Sequence, residues 1–395
     1  MSQAKALYQW QQRVATFFPD LPPSRLGWLA WVSYGIVLAQ SALLNHVVLR
    51  LAVAVGQSFN TVRQRLRKLY RPQQDQDGQD CSFEFTACFG PLLRWATDGF
   101  TDRRLALAID PTNLGDRFTI LTVSVVFRCS AVPVAWHVQL ADAKGSWNEQ
   151  WKRLLGLLRA ALGDDWEVLV LSDRGLESKD LFEAITQLGW HPFMRVKKAG
   201  HFRPEGWMKG QAMNQFTPRV GSRWRGRGLA WPNSSRLCCT LLACWEEGHE
   251  EPWLIVTDLA PSCARALWYA WRSWIEQGFR DLKSDGWDLS KTRMTEPERV
   301  ARWWAAAALA ALWVLEAGAE AQRLQIPATK AHVGTGKPAV TSLFALGLVW
   351  LADQLGRGWV RRLRRLPQPD WPHDPADTDT QDQPFDCIIH PTIPL

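Results

Sequence analysis

The chain has 395 residues, an apolar fraction of 47%, and 46 Lys and Arg against 39 Asp and Glu, which gives a net charge of +7. This composition excludes an intrinsically disordered chain, and the length is enough for two or three domains with sizeable cores. The basic charge lies before residue 366, because the remaining residues contain six Asp and no Lys or Arg. A basic body favours a polyanionic partner, nucleic acid before membrane, although ordinary solubility is the alternative explanation.

The first region, residues 1–72, is predicted to be a helical DNA-binding domain. Its apolar stretch at 27–55 is interrupted by polar residues, which favours a buried helix pair over a membrane span. The next segment, GQSFNTVRQRLRKLYR, predicts a helix capped by Ser58 or Asn60. Its exposed face would carry the cations Arg63, Arg65, Arg67, Lys68 and Arg71. The segment resembles the recognition half of a helix-turn-helix, and a general phosphate-binding face is the alternative.

Residues 73–100 are predicted to be a linker and lead-in, because the run PQQDQDGQD at the boundary is polar. Residues 101–198 then contain strand and helix patterns. The predicted order is three strands, a helix, a strand, a helix and a strand, at 105–110, 118–129, 132–140, 146–162, 167–173, 178–188 and 191–197. This is the order of an RNase H-like fold.

The rest of the chain is predicted to comprise four regions. Residues 199–258 are rich in Gly, Trp and Arg and form a β-rich insertion, with strands at 237–245 and 253–258. Residues 259–325 return to the core with helices at 267–283 and 298–322, residues 326–366 form a C-terminal helical region with a helix over 341–365, and residues 367–395 form an acidic, disordered tail. The fold class is therefore α/β, with helical N- and C-terminal regions.

The eight cysteines are scattered, and no pair forms a CxxC or completes a zinc-site spacing with histidines. Reduced thiols in a cytoplasmic protein are the simplest expectation. The N-terminus does not have the pattern of a signal peptide.

The predicted helix at 267–283 carries an unusual set of polar residues. Arg272, Glu276 and Lys283 follow Tyr269 by 3, 7 and 14 residues, so at 3.6 residues per turn they return to nearly the same face. Arg280 falls close to that face. A carboxylate flanked by cations and a phenol suits a metal ion surrounded by phosphates. A solvated charged face is the alternative.

Two aspartates upstream provide matching carboxylates. Asp110 ends the apolar run LALAID and Asp173 ends EVLVLSD, so both are expected at strand ends that point into a shared crevice. The alternatives are a turn residue before Pro111 and a capping or turn residue in SDRG. Asp258 is a rival acid in VTDL, interpreted as a helix cap before Ser262.

The spacing on the helix matches the Y-x2-R-x3-E-x6-K pattern, and the chain thereby resembles bacterial insertion-sequence DDE transposases of the IS-four-like group. The resemblance covers residues 100–325 and implies an RNase H-like catalytic core. It implies that Asp110 bridges two Mg²⁺ ions, for which Mn²⁺ can substitute, and that Asp173 and Glu276 each hold one. Tyr269, Arg272, Lys283 and Arg280 would hold DNA phosphates.

The resemblance also implies the partners. They are double-stranded DNA, both the terminal inverted repeats of a mobile element and the target, and a second copy of the chain when DNA is bound. No membrane partner is expected, and the location would be the cytoplasm, at the nucleoid. A metal-dependent nuclease on the same fold and a catalytically silent, transposase-derived repressor are the alternatives.

An aromatic residue of the insertion is a further candidate. Trp224 lies among arginines in GSRWRGRGLAW, and interleaved arginines and aromatics suit phosphates and an unstacked base. In related transposases an aromatic in the insertion holds a flipped base, so Trp224 is a candidate for base stacking. Trp207, Trp231 and Trp253 are its rivals.

Overall fold

One mixed sheet runs through the described part of the chain. The computed structural model describes residues 3–70, 84–284, 286–325, 342–357, 363 and 365–371. The ten strands are β1 (Arg104–Leu114), β2 (Phe118–Phe127), β3 (Ser130–Leu140), β4 (Glu167–Ser172), β5 (His191–Arg195), β6 (His201–Pro204), β7 (Gln211–Ala212), β8 (Arg223–Ala230), β9 (Leu237–Cys244) and β10 (Trp253–Thr257). Their order across the sheet is β3-β2-β1-β4-β5-β10-β9-β8-β6-β7.

Helices cover this sheet and connect its parallel strands. The α-helices are α1 (Gln3–Phe17), α2 (Pro23–Ala39), α3 (Leu44–Val55), α4 (Phe59–Tyr70), α5 (Phe89–Thr97), α6 (Asn148–Arg159), α7 (Lys179–Gln187), α8 (Trp274–Lys283), α9 (Pro297–Arg323) and α10 (Leu343–Gly356). The predicted mixed α/β class is confirmed.

The core of the sheet has the predicted element order, β1-β2-β3-α6-β4-α7-β5. β1, β2 and β3 pair antiparallel, whereas β4 is parallel to both β1 and β5. Parallel neighbours need a crossover, which α6 and α7 provide. β4 is almost wholly apolar because it is buried on both faces.

The strands of the predicted insertion extend the same sheet. β10 pairs antiparallel with β5, through Ile255↔Arg195 and Val256↔Met194, and β9 and β8 follow outward. The predicted strands at 237–245 and 253–258 correspond to β9 and β10. The apolar side chains of β9 and β10 are therefore continuous with the core. Because β10 runs antiparallel to β5, the β9–β10 connection lies beside the carboxyl ends of β4 and β5.

The long helix α9 forms the centre of the helical layer. Its Trp313 stacks on Trp10 of α1 with ring centroids 3.9 Å apart, and the Ala301 carbonyl accepts a hydrogen bond of 3.0 Å from Trp136 of β3. By length and composition α9 is apolar enough to cross a membrane, but its apolar window is entirely buried inside the protein. Such burial is typical of the core helix of a soluble protein. The predicted buried pair at 27–55 is observed as α2 and α3.

One predicted helix differs in type, and two sequence-based boundaries are wrong. The predicted helix at 267–283 is a 3-10 helix over Ala266–Ser273 that continues as α8. The predicted helix at 341–365 begins at Leu343 and ends at Gly356, and residues 358–362 and 364 of the predicted span lie outside the described residues. The tail is not disordered at 367–371, where Trp371 packs on Trp268 and Trp271 with centroids 5.2 and 4.8 Å apart. Residues 372–395, the linker 71–83 and with it Arg71 lie outside the described residues.

Candidate active site

Asp110 lies within β1 and not at its end. The parallel pairing of β1 with β4 stops at Ile109↔Ser172, whereas its antiparallel pairing with β2 continues through Asp110↔Thr122 to Leu114. The predicted strand end and the alternative turn before Pro111 are therefore both wrong. A proline is tolerated where one side of a strand lacks a partner, which is the situation past Ile109 among the described residues. Asp110 thus marks the point where the sheet opens between β1 and β4.

Asp173 follows β4 directly, one position beyond the last β1–β4 pair. It precedes the short 3-10 helix Arg174–Leu176, but its side chain makes no capping hydrogen bond there. Its Oδ1 instead accepts a hydrogen bond of 3.3 Å from the Tyr269 hydroxyl. The alternative of a capping residue is therefore not supported, and the register puts Asp173 beside Asp110 at the opening.

The third carboxylate, Glu276, comes from the first turn of α8. The preceding residues form a 3-10 helix, in which side chains three positions apart align, so Tyr269 and Arg272 both turn toward the opening. Gly278 allows α8 to approach β3, because a Cβ at this position would lie 2.8 Å from the Ala131 carbonyl oxygen. Gly278, the one glycine of the helical segment 266–283, thus has a packing role.

Arg272 contacts all three carboxylates. Its Nη2 lies 2.7 Å from Asp110 Oδ1 and 3.9 Å from Asp173 Oδ2, and its Nη1 lies 2.6 Å from Glu276 Oε1. The guanidinium is 13% exposed, whereas Glu276 is 56% exposed. One cation, Arg272, therefore lies between β1, β4 and α8.

Burial dominates the electrostatics of the site. It raises the pKa of Asp110 to about 6, although the Arg272 guanidinium opposes this shift. Burial, and then the charge of Asp173, raise the pKa of Tyr269, so its hydroxyl stays protonated and can donate. Burial opposes the charge on Arg272, but Asp110 and its neighbours raise its pKa overall. The site is thus a partly desolvated group of acids that depends on a cation.

Carboxylate oxygens are the hard ligands that Mg²⁺ and Mn²⁺ prefer. Among the described residues no three His, Cys, Asp or Glu side chains are grouped closely enough to hold a metal ion. The guanidinium of Arg272 between the acids accounts for this spacing. The three residues fit a divalent ion by donor type and charge, provided that Arg272 moves.

Two further cations predicted to bind phosphate, Arg280 and Lys283, lie further along α8. Lys283 Nζ donates to Thr112 Oγ1 at 2.7 Å and to the Asn113 carbonyl at 3.3 Å, so it contacts β1 just past Asp110. Burial lowers the pKa of Lys283. Arg280 is exposed on the same helix. Both are within the predicted phosphate-binding face, and their role in binding stays a prediction.

Comparison with known proteins bears directly on this arrangement. Residues 129–313 match the family model for the transposase DDE domain. The matched region includes Asp173, Tyr269, Arg272 and Glu276 and begins after Asp110. It supports a DDE transposase, a class that cleaves and transfers DNA strands.

No curated protein matches the chain, whereas seven chains of solved structures do. One is a piggyBac transposase synaptic complex with hairpin DNA, at 10% identity and a TM-score of 0.36, over 77% of this chain and 71% of that chain.

Three cations that contact Glu251 were not predicted from the sequence. Arg174 Nη1 lies 2.6 Å, Lys198 Nζ 3.3 Å and Arg195 Nη2 3.8 Å from the Glu251 carboxylate. Arg195 Nη1 also lies 3.9 Å from Asp173. Arg174 follows Asp173 in the sequence and Arg195 ends β5, so their positions after parallel strands were the available signal.

A cavity of about 270 Å³ adjoins the carboxylates. It is lined by Arg195, His249, Trp253, Tyr269, Ala270, Arg272, Ser273 and Glu276. Trp253 packs edge-on against Tyr269 with centroids 5.7 Å apart and contacts His249 at 4.8 Å. Guanidinium groups and an indole thus share one cavity, which suits a phosphate and a base.

Trp224 lies elsewhere, on β8. Its indole packs on Phe216 with centroids 4.3 Å apart and on Phe202 at 5.8 Å. Trp207 also contacts this cluster. Base stacking by Trp224 stays a prediction, but its ring already has aromatic neighbours, and Trp253 is the rival that lines the cavity.

Asp258 does not cap a helix before Ser262. Its Oδ2 lies 3.0 Å from His191 Nδ1. His191 begins β5, opposite Leu169 of β4, whereas Ser172 and Asp173 lie at the other end of these strands. The interpretation as a cap is wrong, and Asp258 is also remote from the carboxylates.

The basic helix α4 follows α3 after a three-residue turn. Gly56 opens the turn at φ 64°, which favours glycine, and Ser58 Oγ accepts from the Thr61 amide at 3.2 Å. Arg65 and Lys68 are exposed, and Arg63 and Arg67 are half-buried. Ser58 is therefore the cap, whereas the resemblance of this segment to a helix-turn-helix and DNA binding by α4 stay predictions.

Proposed function

We propose that this protein is a DNA transposase that cleaves the ends of a mobile element and joins them to target DNA. The observation that carries the proposal is that Asp110, Asp173 and Glu276, from β1, β4 and α8, meet at one guanidinium at the opening of the sheet. The match of residues 129–313 to the transposase DDE domain supports it. The Tyr269–Lys283 spacing further favours the IS-four-like group.

Asp110, Asp173 and Glu276 would hold the two Mg²⁺ ions, with Mn²⁺ as a substitute. Bound ions would supply activation of the attacking oxygen and stabilisation of the leaving oxygen in an in-line displacement. Asp110 would be among their ligands, and the hydroxyl of Tyr269 would orient Asp173 by its hydrogen bond. The half-buried position of Asp110 keeps water away from its carboxylate.

The cations around the acids would position the DNA strand. Lys283 and Arg280 lie along α8, and Arg174, Arg195 and Lys198 lie beyond Asp173, so a strand crossing the acids would meet cations on both sides. A base next to the cleavage position would enter the cavity at Trp253. Arg63, Arg65, Arg67 and Lys68 of α4 would bind the terminal repeat, and two copies of the chain would hold two DNA ends.

The test uses full-length protein, Mg²⁺ and duplexes that contain the DNA flanking the gene. Asp110→Asn, Asp173→Asn and Glu276→Gln should each abolish cleavage and joining while DNA binding stays nearly unchanged, because phosphate contacts provide most of the affinity. Asp258→Asn, a carboxylate at the far end of β5, is the matched control and should keep both activities.

The outcomes separate the alternatives. Cleavage without joining would identify a nuclease, and binding without cleavage would identify a repressor. Substantial cleavage by any of the three carboxylate variants would falsify the assignment of the site.

A further inference from the structure

Arg272 is held almost entirely by the residues proposed as metal ligands. Its two terminal nitrogens contact Asp110 and Glu276 at 2.7 and 2.6 Å and approach Asp173 at 3.9 Å. Its Nε is buried without a hydrogen-bond partner among the described residues. Within the described chain the guanidinium therefore donates its hydrogen bonds to the carboxylates of Asp110 and Glu276.

A guanidinium and a divalent ion are competing ligands for such acids. Each needs the same carboxylate oxygens, and like charges at contact distance repel strongly in a partly buried site. A divalent ion on these oxygens would therefore require Arg272 to move.

The neighbouring cavity offers a place for the displaced guanidinium. Arg272 is itself part of the lining, together with Arg195 and Trp253. A DNA phosphate in this cavity would contact both arginines, and a phosphate is a strong bidentate partner for a guanidinium. It would compensate Arg272 for the contacts to Asp110 and Glu276 that it gives up.

We propose that Arg272 is a latch that keeps the three carboxylates closed to metal ions until a DNA phosphate draws its guanidinium away. Metal ions and DNA then bind cooperatively, and by linkage each raises the affinity for the other by the same factor. The inference rests on the proposed function, since it assumes that these carboxylates are the metal ligands. It adds that an uncomplexed protein is protected from loading metal without its DNA.

The experiment measures Mn²⁺ binding to the full-length protein by electron paramagnetic resonance, with and without a short blunt DNA duplex. The wild type should bind Mn²⁺ weakly alone and about tenfold or more tightly with DNA. Arg272→Gln should bind Mn²⁺ without DNA about as tightly as the wild type does with it. Asp110→Asn with DNA provides the blank for ions condensed on the duplex.

Two further variants keep the result interpretable. Arg104→Gln also removes an arginine–carboxylate contact on β1, with Glu167 at 3.1 Å, and should bind Mn²⁺ as the wild type does. Arg272→Lys retains a cation and should give an intermediate DNA dependence. Thermal melting of each variant verifies folding.

Two results would overturn the latch, and they differ in what they say about the function. In the first, the wild type binds Mn²⁺ with the same affinity with and without DNA, Arg272→Gln binds it equally well, and Asp110→Asn loses binding. This combination would reject the latch and would leave the assignment of the metal site intact. No Mn²⁺ binding above the Asp110→Asn blank, even in Arg272→Gln with DNA, would reject the metal site as well.

Discussion

Trp253 and Trp224 differ in whether their indole rings adjoin the cavity beside the carboxylates. Trp253 lines the cavity beside Arg272, whereas the indole of Trp224 is packed on Phe216 and Phe202. A stacking residue must offer one open ring face to a base. At the scale of single residues this favours Trp253 over Trp224 for base stacking.

The prediction is tested on element ends that carry a nick in the first strand. Trp253→Ala should reduce the second-strand step while first-strand nicking is retained, because stacking is worth about 1–3 kcal/mol per base. Trp224→Ala should instead lower the melting temperature, since it leaves a void beside Phe216. The opposite result would be a normal second-strand yield in Trp253→Ala and a lost one in Trp224→Ala, with the melting temperature of Trp224→Ala unchanged. It would identify Trp224 as the base-stacking residue.

At the scale of elements, the position of Glu276 depends on how closely α8 approaches β3. The nearest contacts at Gly278 are backbone atoms of Ala131, whose carbonyl oxygen lies 2.8 Å and whose Cα lies 3.3 Å from a hypothetical Cβ, together with the Ala131 Cβ at 3.0 Å. Backbone atoms cannot rotate away as a flexible side chain can. A larger residue at this position must therefore push the whole helix outward.

Gly278→Ala should destabilise the protein by about 1–3 kcal/mol, the usual cost of overpacking, and should reduce cleavage because Glu276 moves with α8. The matched control is Gly156→Ala in α6, where nothing lies within 4 Å of the added Cβ. That change should be neutral or stabilise by up to about 1 kcal/mol. Equal denaturant midpoints for the two variants would contradict the packing role of Gly278.

The basic helix α4 is a second element whose role is testable. Arg65 is exposed with its guanidinium 4.7 Å from the Trp31 ring centroid, and Arg128 is exposed 5.7 Å from the Phe127 centroid. The two arginines have similar settings but lie on α4 and on the β2–β3 turn, respectively. They form a matched pair for a binding experiment.

Arg65→Gln should weaken DNA binding and reduce the slope of log affinity against log salt by about one, as for the loss of one phosphate contact. Arg128→Gln should leave both unchanged. Full-length protein is needed, because α1 stacks on α9 through Trp10 and Trp313. An unchanged salt slope in Arg65→Gln would move end recognition away from α4.

At the scale of the whole molecule, local patterns predicted elements well and their ends poorly. LALAID and EVLVLSD are strands because their apolar runs are buried on both faces, and the Tyr269–Lys283 spacing correctly marked one helical segment. The continuation of β1 past Pro111 depends on β2, a pairing that no local pattern contains. The contacts of Trp371 with Trp268 and of Arg195 with Glu251 join residues far apart in sequence, so only the folded chain brings them together.

The buried Glu316 of α9 connects three parts of the molecule. Its side chain accepts hydrogen bonds from Arg13 of α1 at 2.8 Å and from Trp95 of α5 at 2.9 Å. Burial raises its pKa to about 7, against the opposing charge of Arg13, with Asp98 and Arg365 contributing at longer range. The folded state therefore binds a proton more tightly than the unfolded state, whose glutamate has the ordinary value of 4.5.

This difference makes the stability depend on pH with a defined sign. The contribution of Glu316 is fully present below pH 4.5 and is lost as the pH rises through about 7. A difference of this size corresponds to about 3 kcal/mol between the two limits. Glu316→Gln cannot titrate, so the free energy of unfolding of the wild type should fall relative to the variant between pH 5 and pH 8.

The informative quantity is how the free energy of unfolding of the wild type and of Glu316→Gln changes with pH, and not its absolute value. The amide nitrogen of a glutamine cannot accept from Arg13 or Trp95, whereas the hydroxyl oxygen of the protonated carboxyl can. The variant should therefore be less stable than the wild type at low pH, and this difference in stability should narrow as the pH rises. Urea unfolding of both proteins across this range measures it, and Glu298→Gln, an exposed glutamate of the same helix, controls for the loss of one negative charge. A constant difference between wild type and Glu316→Gln would mean that Glu316 keeps one protonation state throughout, and that its contacts with α1 and α5 do not respond to pH.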